Sequence, residues 1–110
     1  MAAENGTFFI LHNHAGHYSH LALDVPGGNP NDGVLIQQFH FHGGPNQQWR
    51  FQTTPAHRGP ELFRPEFHRI LNQATGMALD VPNGSVASRE RIQQFPPHNG
   101  WNQTWILRRV

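Results

Sequence analysis

Ala22-Leu-Asp-Val-Pro26, Ile36-Gln-Gln-Phe39 and Asn46-Gln-Gln-Trp49 are written twice in this chain. They return as Ala78-Leu-Asp-Val-Pro82, Ile92-Gln-Gln-Phe95 and Asn102-Gln-Thr-Trp105, at a constant offset of 56 residues. Aligned without a gap, residues 22–51 and 78–107 agree at 15 of 30 positions, among them Gly28 with Gly84, His42 with His98 and Gly44 with Gly100. A repeat of this length is one supersecondary unit used twice.

Around these motifs the elements are short strands. Leu21, Leu23 and Val25 alternate with Ala22 and Asp24, the pattern of a half-buried strand. The first copy reads as strands over 7–11, 21–25, 34–39 and 47–51, with Gly- and Pro-rich turns at 26–33 and 43–45. The second reads as strands over 67–71, 77–81, 91–95 and 104–107, and its first hairpin is shorter, lacking the stretch 14–20. No window carries a helical period, so the fold class is all-β. The chain of 110 residues is expected to be a single domain: repeat one about 7–52, a connector about 53–65 interrupted by Pro55, Pro60 and Pro65, and repeat two about 66–110.

Composition narrows the function classes. A formal net charge of +1 argues against a phosphate-driven nucleic-acid binder. With 36% hydrophobic and 14% charged residues, the chain resembles neither a membrane-spanning protein nor a charge-rich disordered tail. There is no cysteine, hence no disulfide framework and no thiolate chemistry. No basic segment followed by an apolar run opens the chain, which sets the expectation of a cytoplasmic protein, or one released without a signal peptide.

Neighbouring residues in a strand point to opposite faces, and residues two apart share one. Taking Leu23 and Val25 as core turns Asp24 outward. Gln37 shares a face with Phe39, and Gln47 with Trp49; Trp49 is taken as buried, so Asn46 points away from the core. The outward set is an acid, two amides and an aromatic ring. A pyranose has an apolar CH face for a ring and hydroxyls that both donate and accept, which a carboxylate and amides can match. Each exposed bond is worth about 0.5–1.5 kcal/mol net, so one such site is weak and two gain by multivalency.

These residues resemble the ricin B-type lectin repeat with its Gln-x-Trp motif: Leu-Asp-Val, a Gly-containing loop, Ile-Gln-x-aromatic, then Asn-Gln-x-Trp, in both copies. The resemblance implies a β-trefoil and a lectin that binds galactose or N-acetylgalactosamine-type glycans without transforming them, agglutinating if multivalent. It places Asp24 and Asp80 on sugar hydroxyls, Gln37, Gln93, Asn46 and Asn102 as further hydrogen-bonding groups, and Phe39 and Phe95 as stacking platforms. Gln47 and Gln103 join the carbohydrate-binding set but, with Trp49 and Trp105, chiefly hold the repeat together. Three features depart from the family. Phe stands where Trp is common, the disulfide of many secreted members is absent, and only two four-stranded lobes are found where the trefoil has three. The expectation is that the third is supplied by homo-oligomerisation, with glycans as the other partner and no membrane insertion. The alternative on the same fold is a protein-interaction module such as a protease inhibitor acting through loops.

Nine histidines raise the question of a metal, because His12, His14, His17, His20, His40 and His42 lie close in sequence. Within the aligned segment 22–51 only His42 recurs, as His98, and neither cysteines nor a clustered acid accompany the histidines, so no metal site and no cofactor are expected. Nor does the chain carry a nucleophile elbow, a phosphate-binding glycine loop or a zinc-hydrolase spacing. Catalysis uses one asymmetric constellation, whereas this chain repeats a symmetrical one; the expectation is a non-enzyme.

Overall fold

The computed structural model describes residues 6–13, 20–54 and 67–107. Within them every regular element is a short strand or a single 3-10 turn. The first repeat supplies β1 (Phe8–Phe9), β2 (His12–Asn13), β3 (Leu21–Asp24), β4 (Gln37–His40) and β5 (Trp49–Thr53). The second supplies β6 (Phe67–Asn72), β7 (Ala78–Asp80), β8 (Gln93–Phe95) and β9 (Trp105–Ile106).

Two kinds of antiparallel pairing organise them. β1 pairs β5, β5 pairs β6 and β6 pairs β9, making a wall of four strands with β1 and β9 at its edges. The junction between the repeats runs through β5 and β6, in register from Trp49↔Asn72 to Thr53↔His68. Each repeat also projects a hairpin, β3 with β4 and β7 with β8, in which Asp24 lies opposite Gln37 and Asp80 opposite Gln93. The far end of β6 feeds the second hairpin through Leu71↔Ala78, as β2 feeds the first through His12↔Ala22.

The core is small and spans both repeats. Val25, Trp49, Phe51, Ile70 and Leu79 are buried, with Leu11, Leu23, Val34, Ile36, Ile92, Trp105 and Leu107 packed around them and partly covered. The strand after each Leu-Asp-Val is stopped by the same device. Pro26–Gly28 and Pro82–Gly84 are 3-10 turns whose middle residue is left-handed, Gly27 at φ 59° and Asn83 at φ 56°. Glycine and asparagine are the residues that enter this region most readily.

All-β architecture agrees with the sequence reading, but several strand limits move. The third strand starts at Gln37, not at 34, because Val34 and Ile36 spend their backbone groups on the other repeat: Gln94 N–H donates to Val34 O at 2.9 Å and Ile36 N–H to Ile92 O at 3.0 Å. Leu35 makes only an isolated bridge to Gln93. Residues 45–47 form a 3-10 turn begun by Pro45, so β5 starts at Trp49 and runs on to Thr53. The first strand shrinks from 7–11 to Phe8–Phe9, and β2 lies beyond it. The second copy trims to 78–80, 93–95 and 105–106, whereas β6 gains Asn72. Most of the expected connector, together with His14 and His17, falls outside the described residues.

Candidate functional site

In each repeat one carboxylate gathers the recurring polar residues. Asp24 ends β3 and its side chain lies on the same face as Gln37, directly across the hairpin. Gln37 Nε2 donates to Asp24 Oδ1 at 3.1 Å, while Asn46 Nδ2 and Gln47 Nε2 donate to Oδ2 at 3.2 and 2.9 Å. The second repeat reproduces the set: Gln93 Nε2 donates to Asp80 Oδ1 at 2.9 Å, and Asn102 Nδ2 and Gln103 Nε2 donate to Oδ2 at 3.2 and 2.9 Å. Three amide donors on one carboxylate explain how the charge tolerates removal from water.

The exposure of the acid is a correction. Alternation along β3 assigns the face rightly, but Asp24 and Asp80 are only 1% and 2% exposed, because Gln37, Asn46, Gln47 and their counterparts close over them. The acids sit at the base of the site and organise its rim. Gln47 and Gln103 are corrected in the same direction, being 0% exposed. Gln47 Oε1 accepts from His42 N–H and Gly43 N–H at 2.9 and 3.2 Å, and its Nε2 donates to His40 O at 2.8 Å as well as to Asp24. Every hydrogen-bonding position of that amide is used internally, so it ties the 40–43 loop to the acid and has nothing left for a ligand. Gln103 Oε1 accepts from His98 N–H at 2.8 Å, and its Nε2 donates to Pro96 O at 3.0 Å as well as to Asp80. Trp49, fully buried as the sequence implies, donates its indole N–H to Leu23 O at 3.0 Å, and Trp105 to Leu79 O at 3.1 Å.

What reaches the surface is the rim. Phe39 is 47% exposed and Phe95 37%, so neither ring is core. Gln37 and Asn46 are half-buried: each spends its amide nitrogen on Asp24, and among the described residues no donor reaches their amide oxygens. Asn46 Nδ2 also donates to Val25 O at 3.0 Å, which fixes its orientation. The structure therefore brings Gln37 and Asn46 together on Asp24, and Gln93 and Asn102 on Asp80, with Phe39 and Phe95 exposed two residues along the strand from Gln37 and Gln93.

It adds one residue per site that the sequence reading left aside. His42 Nε2 stands 3.8 Å from Asp24 Oδ2, and His98 Nε2 3.9 Å from Asp80 Oδ2, with both rings nearly half exposed. Phe39 and His42 have ring centroids 6.4 Å apart. Gly44 N–H donates to His42 Nδ1 at 3.0 Å and Gly100 N–H to His98 Nδ1 at 2.8 Å, so the neutral ring carries its proton on Nε2, toward the site. The recurrent glycine makes room for this. A Cβ on Gly44 would lie 2.9 Å from the His42 ring and one on Gly100 2.5 Å from the His98 ring. The signal was present in the sequence, since His-x-Gly is one of the units kept at the 56-residue offset.

Each rim thus presents an apolar ring, two amide oxygens as acceptors and an imidazole N–H as donor, over a buried acid. That is a surface for a neutral polyhydroxylated ligand. Among the described residues no group of three His, Cys, Asp or Glu side chains is placed to hold a metal ion. No helix among them is long and apolar enough to cross a membrane.

Comparison with known proteins bears on the same residues. Residues 2–64 and 61–110 both match the model of the ricin-type beta-trefoil lectin domain-like family. A search of curated proteins finds no match. Among solved structures the chain is similar to the designed three-fold symmetric protein ThreeFoil, with 25% identity over 99% of this chain and 79% of that one and a TM-score of 0.72. It is also similar to part of an exo-β-1,3-galactanase from Clostridium thermocellum, at 27% identity over 94% of this chain but 22% of that one, with a TM-score of 0.71. The Rhizoctonia solani agglutinin shares the fold at 16% identity, with 94% of both chains covered and a TM-score of 0.51. The repeated motifs, the hairpin geometry and the family match together make this chain a member of the ricin-type β-trefoil lectin-like family.

Proposed function

We propose that this protein is a non-catalytic lectin that binds galactose or N-acetylgalactosamine-type glycans at two sites, one per repeat. The observation that carries the reading is the duplicated set of an exposed phenyl ring, a tautomer-fixed histidine and two amide oxygens, with an acid that each repeat buries in the same way. Phe39 and Phe95 offer the CH-stacking platform, Gln37, Asn46, Gln93 and Asn102 accept from sugar hydroxyls, and His42 and His98 donate to a hydroxyl oxygen. Asp24 and Asp80 act chiefly by holding those groups in place. Their carboxylates have about four acceptor positions, of which three are filled internally, leaving one on Oδ1 for a hydroxyl that enters beside Gln37. The likeness to part of a galactan-cleaving enzyme supports a galactose-type ligand, and the likeness to an agglutinin supports cross-linking of glycan-bearing surfaces.

Single exposed sites of this kind are weak, and useful avidity follows from presenting several together. Self-association of the chain is therefore part of the reading. The test is a glycan array probed with the wild-type protein and with the Phe39→Ala, Phe95→Ala double variant. Both rings are exposed, so the variant keeps its fold. Binding to galactose-terminated glycans by the wild type and its loss in the variant is the expected outcome; equal binding by both rejects the rim as the site.

A further inference from the structure

The contact between the two repeats is built from one loop of the first and one face of the second. Gln94 is 0% exposed and donates its amide N–H groups to Asn29 O and Asn31 O at 2.7 and 2.9 Å. Around it Gly33 N–H donates to Gln94 O at 2.9 Å, and Ile36 N–H to Ile92 O. Lower on the seam, Asn72 Nδ2 donates to Asn46 O at 3.0 Å and Gln73 N–H to Gln48 O at 2.9 Å. Leading face and trailing face of the repeat thus fit each other.

Both faces also occur once more, with exposed residues at the corresponding positions. The trailing loop of the second repeat, 56 residues beyond 29–36, is 85–92, with Val86 100% exposed and residues 87–91 exposed. It keeps the shape of its counterpart, down to Arg89 at φ 66° where the first copy has Gly33 at φ 80°. On the leading face of the first repeat, Gln38 occupies the position of the buried Gln94 and is exposed. The core shows the same asymmetry: Val25, Trp49 and Leu79 are 0%, 0% and 5% exposed, whereas Val81, Trp105 and Leu23 are only partly covered. Two cavities mark the opening. One of about 360 Å³ is lined by Leu23, Ile36, Leu79, Arg91, Ile92 and Trp105; another of about 380 Å³ lies against Val81, Gly84 and Asn102, whose first-repeat counterparts Gly28 and Asn46 are met by the 72–74 turn of the second repeat. Among the described residues β1 and β9 are the edge strands of the wall.

We propose that this opening is filled by one lobe of another copy of this chain, delivered by lobe exchange, and that the resulting assembly is a trimer. The proposal deepens the self-association in the reading above and does not depend on which sugar is bound. The occupant must present the leading face seen at β6, Asn72 and Gln94 on one side and the trailing face seen at 29–36 on the other, which is what a lobe of this repeat does. It cannot be an intact second chain. In the three-fold arrangement shared with the designed symmetric relative, two lobes fill two of three positions, and a closed pair docked with one lobe in the gap would drive its other lobe into an occupied position. A copy contributes a lobe only by opening its own seam, the exchange by which identical elements form oligomers at low cost. The two lobes of these 110 residues, with three per closed unit, are first used without remainder when three copies share six lobes. Exchange also covers the apolar edge and the free strand borders, which folded proteins rarely leave bare.

The experiment is the solution mass of the wild-type chain by light scattering and native mass spectrometry, beside that of Gln38→Glu. In any completed three-lobe unit that contains a first repeat, Gln38 takes the place Gln94 has in the visible seam. A carboxylate there would confront two carbonyl oxygens, whereas in the separate chain the position is open to solvent. The expected result is three times the 12.5 kDa chain for the wild type, and a fall toward the single chain for Gln38→Glu with unchanged far-ultraviolet dichroism. A wild type that stays at the single-chain mass to high concentration overturns the proposal, as does a dimer, or a trimer that Gln38→Glu leaves intact. Glycan binding measured on the same samples separates this outcome from the lectin reading, because an isolated chain that binds sugar refutes the exchange alone.

Discussion

Removing the carboxylate of Asp24 is the sharpest perturbation of the repeat, because the acid is 1% exposed and accepts from three amides. A hydrogen bond to a charged group contributes about 1.5–3 kcal/mol net. Gln37 and Asn46 are half-buried and can turn partly to water, which discounts their share, but Gln47 is 0% exposed and its donor is stranded. Asp24→Ala should therefore cost about 3–5 kcal/mol, a large part of the roughly 5–15 kcal/mol that holds a domain together. With a urea slope of about 2 kcal/mol per molar, the unfolding midpoint falls by about 1.5–2.5 M. Asp24→Asn should cost less, about 1–2 kcal/mol, since the new amide can turn its oxygen to Asn46 and Gln47 while Gln37 flips to match its nitrogen. Equilibrium urea unfolding followed by tryptophan fluorescence measures both. A midpoint for Asp24→Ala within about 0.3 M of wild type would refute the view that the acid organises the site, on the slope just used. Loss of sugar binding in Asp24→Ala, if the protein is partly unfolded, says nothing about contact; the exposed rings are the cleaner probe.

Three further outcomes follow from the same geometry. Gly44→Ala should displace the His42 ring and break the Gly44 N–H bond to Nδ1, costing under about 1.5 kcal/mol in urea unfolding yet weakening glycan binding at the first site. Nitrogen-detected NMR of the imidazole rings should show His42 and His98 as Nε2–H tautomers when neutral, and Gly44→Ala should remove that preference at His42 alone. Trp49→Phe, which loses the indole bond to Leu23 O and leaves a void in the core, should lower stability by about 2–4 kcal/mol in thermal or chemical unfolding without changing which glycans are bound.

Much of this was legible in the residues. The 56-residue offset gives the two-fold use of one unit, and face alternation along 21–25 and 37–39 assigns Asp24, Gln37 and Phe39 to a common side. Alternation cannot say how deeply a side chain on that side is covered. Asp24 is hidden because Gln47 and Asn46 arrive from a turn more than twenty residues later, a tertiary event with no local period. For the same reason Gln47 is a brace and not a contact: its partners are the backbone groups of His40, His42 and Gly43, which no motif records. The sequence pattern starts the third strand too early because Val34 and Ile36 look like strand residues and do make β-type bonds, but across the seam to the other repeat. His42 and His98 were visible as repeated letters. Their role appears only when Gly44 and Gly100 are seen to fix the rings over the acids.

The central claim is that each repeat carries one carbohydrate site, and titration of methyl β-galactoside into isotopically labelled protein tests it most directly. The account predicts two sets of shifted resonances, one at Gln37, Phe39, His42 and Asn46 and the other at Gln93, Phe95, His98 and Asn102, with Gln47, Gln103 and the tryptophan indoles moving little. Shifts confined to other surfaces, or no shifts from this sugar in a protein that binds no glycan on an array, would contradict it.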